Sequence, residues 1–316
     1  MRQQPPKHSV FLFIFSITMI VFLLFYNFDK SHSLLIDRIL DFGHVPLFSV
    51  VTALILWTLD WKNWPKATTK NYIQAGIIAS VLAIMTEVLQ QLTPERSFQV
   101  GDILSDLIGA GVFLAIAYQY RRVLQGGIRV FLCTAAAVLL LIACLPVFVT
   151  VSDELRSRRD FPLLGSFETR GEMYRWKYEE CTLEQVPLHP IDGDKSLRVL
   201  IPPGLYPGIT MDYPPRDWRG YDTLTFHVFL EGIDPLPLTI RINDLAHNEE
   251  YEDRYNRTFT LQPGPNQLSI SLSEVEHAPK GRLMDMEHIS ILCIFSYKLK
   301  EQRTVYFDNF RLEKDG

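Results

Sequence analysis

Long apolar runs dominate the first half of the chain and are separated by short polar links. One run extends from about residue 9 to residue 26, and four more cover about 45–59, 72–92, 103–120 and 128–149. Most of these runs approach the length that a helix needs to cross the apolar core of a bilayer, roughly 20 residues. The first run is too long for a cleaved signal peptide and lacks an Ala-x-Ala exit. The pattern predicts five transmembrane helices.

From residue 161 the pattern changes to short stretches in which apolar and polar positions alternate. The stretches YDTLTFHVFL, LPLTIRIND and TVYFDNFRL are examples of this strand-like pattern. Turn pairs such as Asp192-Gly193 and Pro263-Gly264 separate many of them. We therefore predict an α-helical transmembrane bundle followed by an all-β sandwich of the jelly-roll type. The predicted domains are a membrane domain 1–150, a linker 151–162 and a sandwich domain 163–316.

Charge divides the chain at the same place. Residues 1–150 contain 11 Lys+Arg and 8 Asp+Glu, net +3, and the remainder contains 20 and 28, net −8, which sum to −5. The acidic second half argues against nucleic acid as a partner. Eight basic residues lie in links on one predicted side of the membrane and three on the other. This bias predicts a protein of the cytoplasmic (inner) membrane with a cytoplasmic amino terminus and an extracytoplasmic sandwich.

Polar side chains collect at the helix ends that this orientation places on the outer side. Ionisable groups at membrane depth are costly and are functional candidates. Arg96 could bind a phosphate or carboxylate head group, and the carboxylates could bind a divalent cation or act as acid and base. The alternative is a salt bridge of Arg96 with Glu87 or Asp102 that only locks the bundle. The predicted polar pocket comprises Asp37, Asp41, His44, Glu87, Gln90, Arg96, Asp102 and Asp106.

A long polar and aromatic segment separates two of the predicted strands. It combines tyrosines with amide, carboxylate and guanidinium groups, which are the residue types that bind sugars, and loops on rigid sandwiches commonly carry function. We predict that this segment binds a glycan. The alternative is a solvated loop whose tyrosines pack on the edge of the sandwich. The candidate residues are Asn243, Asp244, His247, Tyr251, Asp253, Arg254, Tyr255 and Asn256.

One set of motifs is spread over residues 34–120. It consists of Asp37-Arg38, Glu87-x-x-Gln90, Pro94-Glu95-Arg96, Asp102, Asp106 and Gly109. In this combination the segment resembles the VanZ-like family of membrane proteins. Two positions depart from the family, since Asp41 stands where His is common and Asp106 where Asn is common. The resemblance implies a membrane location and a helical fold rather than a defined reaction.

A second set of motifs lies in the strand-rich half. It consists of Phe167-Glu168, Asp217-Trp218-Arg219-Gly220-Tyr221 and Tyr306-Phe307-Asp308-Asn309-Phe310. This half resembles a carbohydrate-binding module or a galactose-binding-like jelly roll. The resemblance implies a structural Ca²⁺ near the paired termini, with Glu168 and Asp308 as oxygen ligands. The alternative is that both are exposed carboxylates at strand ends.

These patterns lead to one main functional hypothesis and two alternatives. The main hypothesis is a bacterial cell-envelope protein that binds an envelope lipid or glycan at the outer membrane face and recognises carbohydrate through its sandwich. The alternatives are a membrane enzyme acting on a lipid-linked glycan or phosphate, and a structural protein whose sandwich binds a protein partner. No catalytic residue is assigned. Cys181 and Cys293 could form a disulfide or remain thiols.

Overall fold

The computed structural model describes residues 33–64, 66–90, 99–120 and 125–314, together with Phe11, Ile14 and Thr18. These three residues are helical and belong to the first predicted helix, the rest of which lies outside the described residues. The chain forms two compact units that divide between Phe148 and Val149. We describe each unit by itself.

The helical unit follows the predicted apolar runs. A short helix precedes the second run, and Gly43 separates the two, with an αR backbone conformation. Four helical segments of the described residues are long and apolar enough to cross a membrane: 34–59, 69–90, 100–118 and 126–160. The helices are α1 (Leu34–Phe42), α2 (His44–Leu59), α3 (Thr69–Gln90), α4 (Val100–Tyr118) and α5 (Gly126–Asp160).

Helices α2 and α4 approach each other closely at Gly109. A Cβ atom on Gly109 would lie 2.2 Å from the carbonyl oxygen of Val45, so only glycine fits this crossing. The Ser49 hydroxyl donates to the carbonyls of Val45, at 2.9 Å, and Gly109, at 2.8 Å. Small residues at helix crossings and hydroxyl groups that bond across them are typical of membrane helices. This crossing sets the position of the polar residues at the start of both helices.

Large apolar side chains cover the outside of the helical unit. Phe131 is 70% exposed, Leu141 65% and Ile73 60%. Exposing apolar surface to water costs about 25 cal/mol per Å², so a surface of this kind is stable where lipid or another apolar partner covers it. The helical half is therefore compatible with a membrane segment.

The second unit is a β-sandwich of two antiparallel sheets, which confirms the predicted all-β fold. One sheet has the order β3-β4-β11-β6-β9, with β1 paired to β11, and the other has the order β2-β5-β10-β7-β8. A short helix α6 (Leu272–Glu276) follows β9. The strands are β1 (Leu163–Gly165), β2 (Trp176–Glu179), β3 (Thr182–Val186), β4 (Ser196–Ile201), β5 (Gly208–Met211), β6 (Thr223–Leu230), β7 (Leu236–Asp244), β8 (Tyr255–Leu261), β9 (Gly264–Ser271), β10 (Ile289–Phe295) and β11 (Arg303–Glu313).

The core of the sandwich lies between the two sheets. Inward-facing residues such as Phe226, Ile240 and Phe307 are fully buried, as alternation along a strand requires. Trp218, from the predicted DWRGY motif, is also fully buried, and its indole N–H donates to the Pro215 carbonyl at 2.7 Å. Cys181 is buried, and it forms no disulfide with Cys293.

Helix α5 continues through most of the predicted linker 151–162 and ends at Asp160. The i,i+4 spacing of Glu154 and Arg158 favours this continuation of the helix, and the two side chains form an ion pair of 2.9 Å on its exposed side. Asp153, on the other side, pairs with Arg175 at 2.9 Å, and both side chains are less than 10% exposed. The Arg175 guanidinium also donates to the Leu164 carbonyl at 3.0 Å. This part of the helix is thus attached to the sandwich.

Candidate functional site

The α2–α4 crossing brings His44 and Asp106 together. His44 begins α2, and Asp106 lies two turns into α4, where it is 2% exposed. The His44 Nδ1 atom lies 2.9 Å from Asp106 Oδ1, which is a hydrogen bond and, when the imidazole is protonated, an ion pair. A buried carboxylate next to an imidazole is an arrangement that can hold or transfer a proton.

Other predicted pocket residues surround this pair. Asp41 and Asp102 lie close enough to His44 to interact with it electrostatically, and Glu87 lies similarly close to Asp106. Asp37 interacts with Asp41, which also forms an ion pair of 3.3 Å with Arg38. The structure therefore gathers most of the predicted pocket residues around one point of the helical unit.

Glu87 has a second and local role. Its carboxylate is 3% exposed and accepts a hydrogen bond of 2.6 Å from the backbone N–H of Gln99, the residue just before α4. A carboxylate at a helix start satisfies a backbone donor and interacts favourably with the helix dipole. Gln90 is also buried. Arg96, and with it the predicted Arg96 salt bridge, lies outside the described residues.

In the sandwich, five of the eight predicted glycan-binding residues have buried side chains, and four of these build the loop structure. Asp244 and Asp253 both accept hydrogen bonds from the Arg282 guanidinium, at 2.5–3.0 Å. His247 Nδ1 lies 2.8 Å from the Asp253 carbonyl oxygen, and Tyr255 packs into the core. These side chains stabilise the segment between β7 and β8 and present little surface to a ligand.

The remaining predicted residues of this segment differ in exposure. Tyr251 is 68% exposed, and the Arg254 guanidinium lies over its ring at 5.2 Å from the centroid. Asn243 is buried, and its Oδ1 accepts from Arg241 Nε at 3.1 Å. The side-chain amide of Asn256 has no hydrogen-bond partner within the described part of the chain. Tyr251, Arg254 and Asn256 are therefore the members of the predicted glycan-binding set whose side chains a ligand could contact.

The outward face of the sheet that contains β7 was not predicted as a site. Arg241 lies in the middle of this face, and Cys293 and Asn256 are its partners on the two neighbouring strands. Residues paired across strands share a face, and so do residues two positions apart on one strand. Phe295 therefore lies on the same face as Cys293, and all four side chains are partly exposed.

Two exposed tyrosines extend this face at one end. Tyr206 contacts Phe295 with a centroid distance of 5.8 Å and Tyr297 with one of 5.1 Å, and both tyrosines are 52% exposed. We call Tyr206, Phe295, Tyr297, Arg241 and Asn256 the sheet-face site. Flat aromatic rings with an apolar face and a polar edge suit the alternating apolar and hydroxyl surfaces of a sugar ring.

The two residues predicted to bind Ca²⁺ hold one loop in place. Glu168 Oε1 accepts from the backbone N–H groups of Asp194 and Lys195, at 2.9 and 2.8 Å. Asp308 Oδ2 accepts from those of Ile191 and Asp192, at 2.5 and 3.0 Å. Burial raises the pKa of Asp308 to about 6, although these N–H groups oppose the shift. Asp308 is therefore not an exposed carboxylate, and calcium binding by this pair stays a prediction.

Three solved structures that are similar to this chain each match about half of it. No protein-family model matches it, and no curated protein does. An exo-β-agarase structure matches 49% of this chain, with 14% sequence identity and a TM-score of 0.41, and the chain spans 25% of that agarase. A family 11 carbohydrate-binding module from Clostridium thermocellum, in complex with a β-1,3-1,4-mixed-linked tetrasaccharide, matches 48% of this chain and 94% of its own, with 16% identity and a TM-score of 0.38.

A third similar structure is the module pair of xylanase 10B from Clostridium thermocellum complexed with xylohexaose. It matches 45% of this chain and 26% of its own, with 16% identity and a TM-score of 0.32.

Proposed function

We propose that this chain is a multi-pass membrane protein of the VanZ-like type whose β-sandwich binds an envelope glycan outside the cytoplasm. The observation that carries the glycan part is the sheet-face site. Exposed aromatic rings lie at one end of it. Arg241 and Asn256 lie in its middle, and the Asn256 amide has no hydrogen-bond partner among the described residues. Binding sites for small and flexible ligands commonly combine apolar and aromatic surface with a few placed polar groups.

The membrane part of the proposal is supported by the four apolar helical segments and their exposed apolar surface. The polar residues gathered around His44 and Asp106 form a site that could bind the head group of an envelope lipid or the lipid end of a glycan. The excess of basic residues in the links of one predicted side supports the proposed orientation.

Glycan binding is tested with the full chain in an uncharged detergent against a panel of β-glucans, xylans, galactans and peptidoglycan fragments. We expect one class to bind, and Tyr206→Ala or Tyr297→Ala to weaken binding by roughly tenfold, since losing about 1.4 kcal/mol of ring contact has that effect. Tyr178→Ala is the matched control. Tyr178 is 59% exposed but pairs with core residue Ile209, which places it on the opposite face of the sheet. Failure of every glycan to bind would refute the proposal.

The orientation has its own test. A reporter enzyme that is active only outside the cytoplasm, fused after Gly316, should be active in cells. The same reporter fused in the link around residue 66 should be inactive, because the proposed orientation puts that link inside. The opposite pattern would reverse the proposed topology and leave the glycan experiment unaffected.

A membrane enzyme acting on a lipid-linked glycan or phosphate is the second candidate, and the His44–Asp106 pair favours it. An imidazole hydrogen-bonded to a buried carboxylate can act as a general base. This candidate would gain support if His44→Gln abolished cleavage of a lipid-linked oligosaccharide while leaving glycan binding by the sandwich unchanged.

A further inference from the structure

Two arginines on the sheet face lack an ion-pair partner among the residues that the structure describes. Arg241 lies in the middle of β7, and Arg254 immediately precedes the neighbouring strand β8. Neither forms an ion pair with any part of the chain that the structure describes. They are close enough for the charge of Arg254 to lower the pKa of Arg241, in addition to the larger lowering by burial. Two like charges are thus held together on a partly desolvated surface.

This arrangement differs from that of several other arginines in the same unit. Arg198, Arg257 and Arg282 are each ion-paired with a carboxylate. The unit is also acidic, with 28 Asp+Glu against 20 Lys+Arg in residues 151–316, so carboxylates are abundant. Glu249 does interact with Arg241 electrostatically, but the two form no ion pair. Holding two guanidinium groups together without a bound carboxylate costs free energy, which a bound anion would recover.

The surroundings of the two arginines fit a polar ligand. The Tyr251 ring lies under the Arg254 guanidinium, which restricts its movement. Among the residues that the structure describes, Arg254 Nε is buried without a hydrogen-bond partner, and so are both polar atoms of the Asn256 side chain. Arg241 is held by its bond to Asn243. Arg241 lies on β7 and Asn256 on its neighbour β8, whereas Phe295 of the sheet-face site lies on β10, the other neighbour of β7.

We infer that Arg241 and Arg254 bind an acidic group, a carboxylate, sulfate or phosphate, on the glycan that occupies the sheet-face site. The guanidinium fork matches the paired oxygens of all three groups and forms charge-assisted hydrogen bonds with them. The Asn256 amide can bond a neighbouring sugar hydroxyl. This inference rests on the proposed glycan-binding function and specifies an acidic polysaccharide over a neutral one.

The test compares polysaccharides that share a backbone and differ in charge. The probes are polygalacturonate against its methyl ester, and dextran sulfate against dextran, with the full chain in uncharged detergent. We expect one charged member to bind at least about tenfold more tightly than its neutral partner at low salt, and this ratio of affinities to fall as the salt concentration rises. Arg241→Met and Arg254→Met should each bring the ratio of affinities close to one. Arg241→Lys should lower it only in part, because lysine keeps the charge but lacks the planar fork of donors.

Arg257→Met is the matched control. Arg257 lies on β8, three residues after Arg254, but it pairs with core residue Ile240 and so faces the other way, where Glu274 binds it. It should leave the ratio unchanged. An equal loss in the control would show general charge attraction and overturn the inference. Equal binding of charged and neutral members would overturn the inference alone, whereas no binding to any polysaccharide, charged or neutral, would overturn the proposed function as well.

Discussion

Buried carboxylates occur in both units of the chain, but their partners differ. In the sandwich, Asp244 and Asp253 share the Arg282 guanidinium, and Asp153 is paired with Arg175. In the helical unit, the described partner of buried Asp106 is the imidazole of His44. A guanidinium keeps its charge at any physiological pH, whereas an imidazole titrates near neutrality.

The difference indicates which carboxylates hold the fold and which are available for another function. A carboxylate fixed by a permanent cation has its charge compensated, and its main effect is on stability. A carboxylate whose described partner is an imidazole has its charge compensated only when that imidazole is protonated, so a cation, a proton or a head group can alter the charge of the pair. The predicted loop site in the sandwich belongs largely to the first class, and Asp106 in the predicted pocket of the helices belongs to the second.

The largest effect that tests this comparison is expected from Arg282→Met. It leaves the fully buried Asp244 without its cation, which should lower the free energy of unfolding of the sandwich by about 3 kcal/mol. Thermal unfolding of the full chain measures it. Lys280→Met is the control, since Lys280 and its partner Glu252 are exposed and such pairs contribute about 1 kcal/mol or less. Equal effects of the two changes would contradict the assignment of Arg282 to the fold.

Acid provides a second measurement on the same variant. Hydrogen bonds from Arg282 hold the pKa of Asp253 down to about 2. A carboxyl group with a folded pKa below its unfolded value of about 3.9 contributes stability that is present above that value and lost as pH falls toward the folded pKa. The difference in melting temperature between the native chain and Arg282→Met should therefore narrow as pH falls from about 4 toward 2.

A smaller effect is expected from Asp106→Asn. Asparagine can still bond to His44, and no permanent cation among the described residues loses its partner, so the loss of stability should be about 1 kcal/mol or less. Loss of helical signal during titration with a denaturing detergent measures it. A loss as large as that of Arg282→Met would remove the contrast between the units and would indicate that a permanent cation binds Asp106.

The sequence pattern predicts the two types of fold well, because each depends on a repeated local feature. Apolar runs locate α2 to α4 and the start of α5 within a few residues, and alternation locates strands such as β6 and β7. The apolar run does not locate the end of α5, because the segment after residue 150 is polar and its composition favours a linker. The i,i+4 pair Glu154–Arg158 is the local sign that the helix continues.

The site residues were predicted less completely, because their partners are distant in sequence. Arg282 lies 38 residues after Asp244, in a turn that has no pattern of its own, so nothing local connects the two. His44 and Asp106 were both predicted, but their contact depends on the crossing at Gly109. The sequence does indicate that Arg241 lies on an outward face, since Thr239, Arg241 and Asn243 are the polar positions of an alternating strand whose other positions are in the core.

The way α5 ends has a consequence for producing the sandwich as a separate fragment. Residues 149–160 belong to the same compact unit as the strands, and Asp153 on this segment compensates a buried arginine. A fragment that began at the first strand would leave the Arg175 charge buried in the sandwich without its carboxylate, which would lower the stability of the fragment. A fragment that keeps this ion pair has to begin before Asp153 and so include the last turns of the helix.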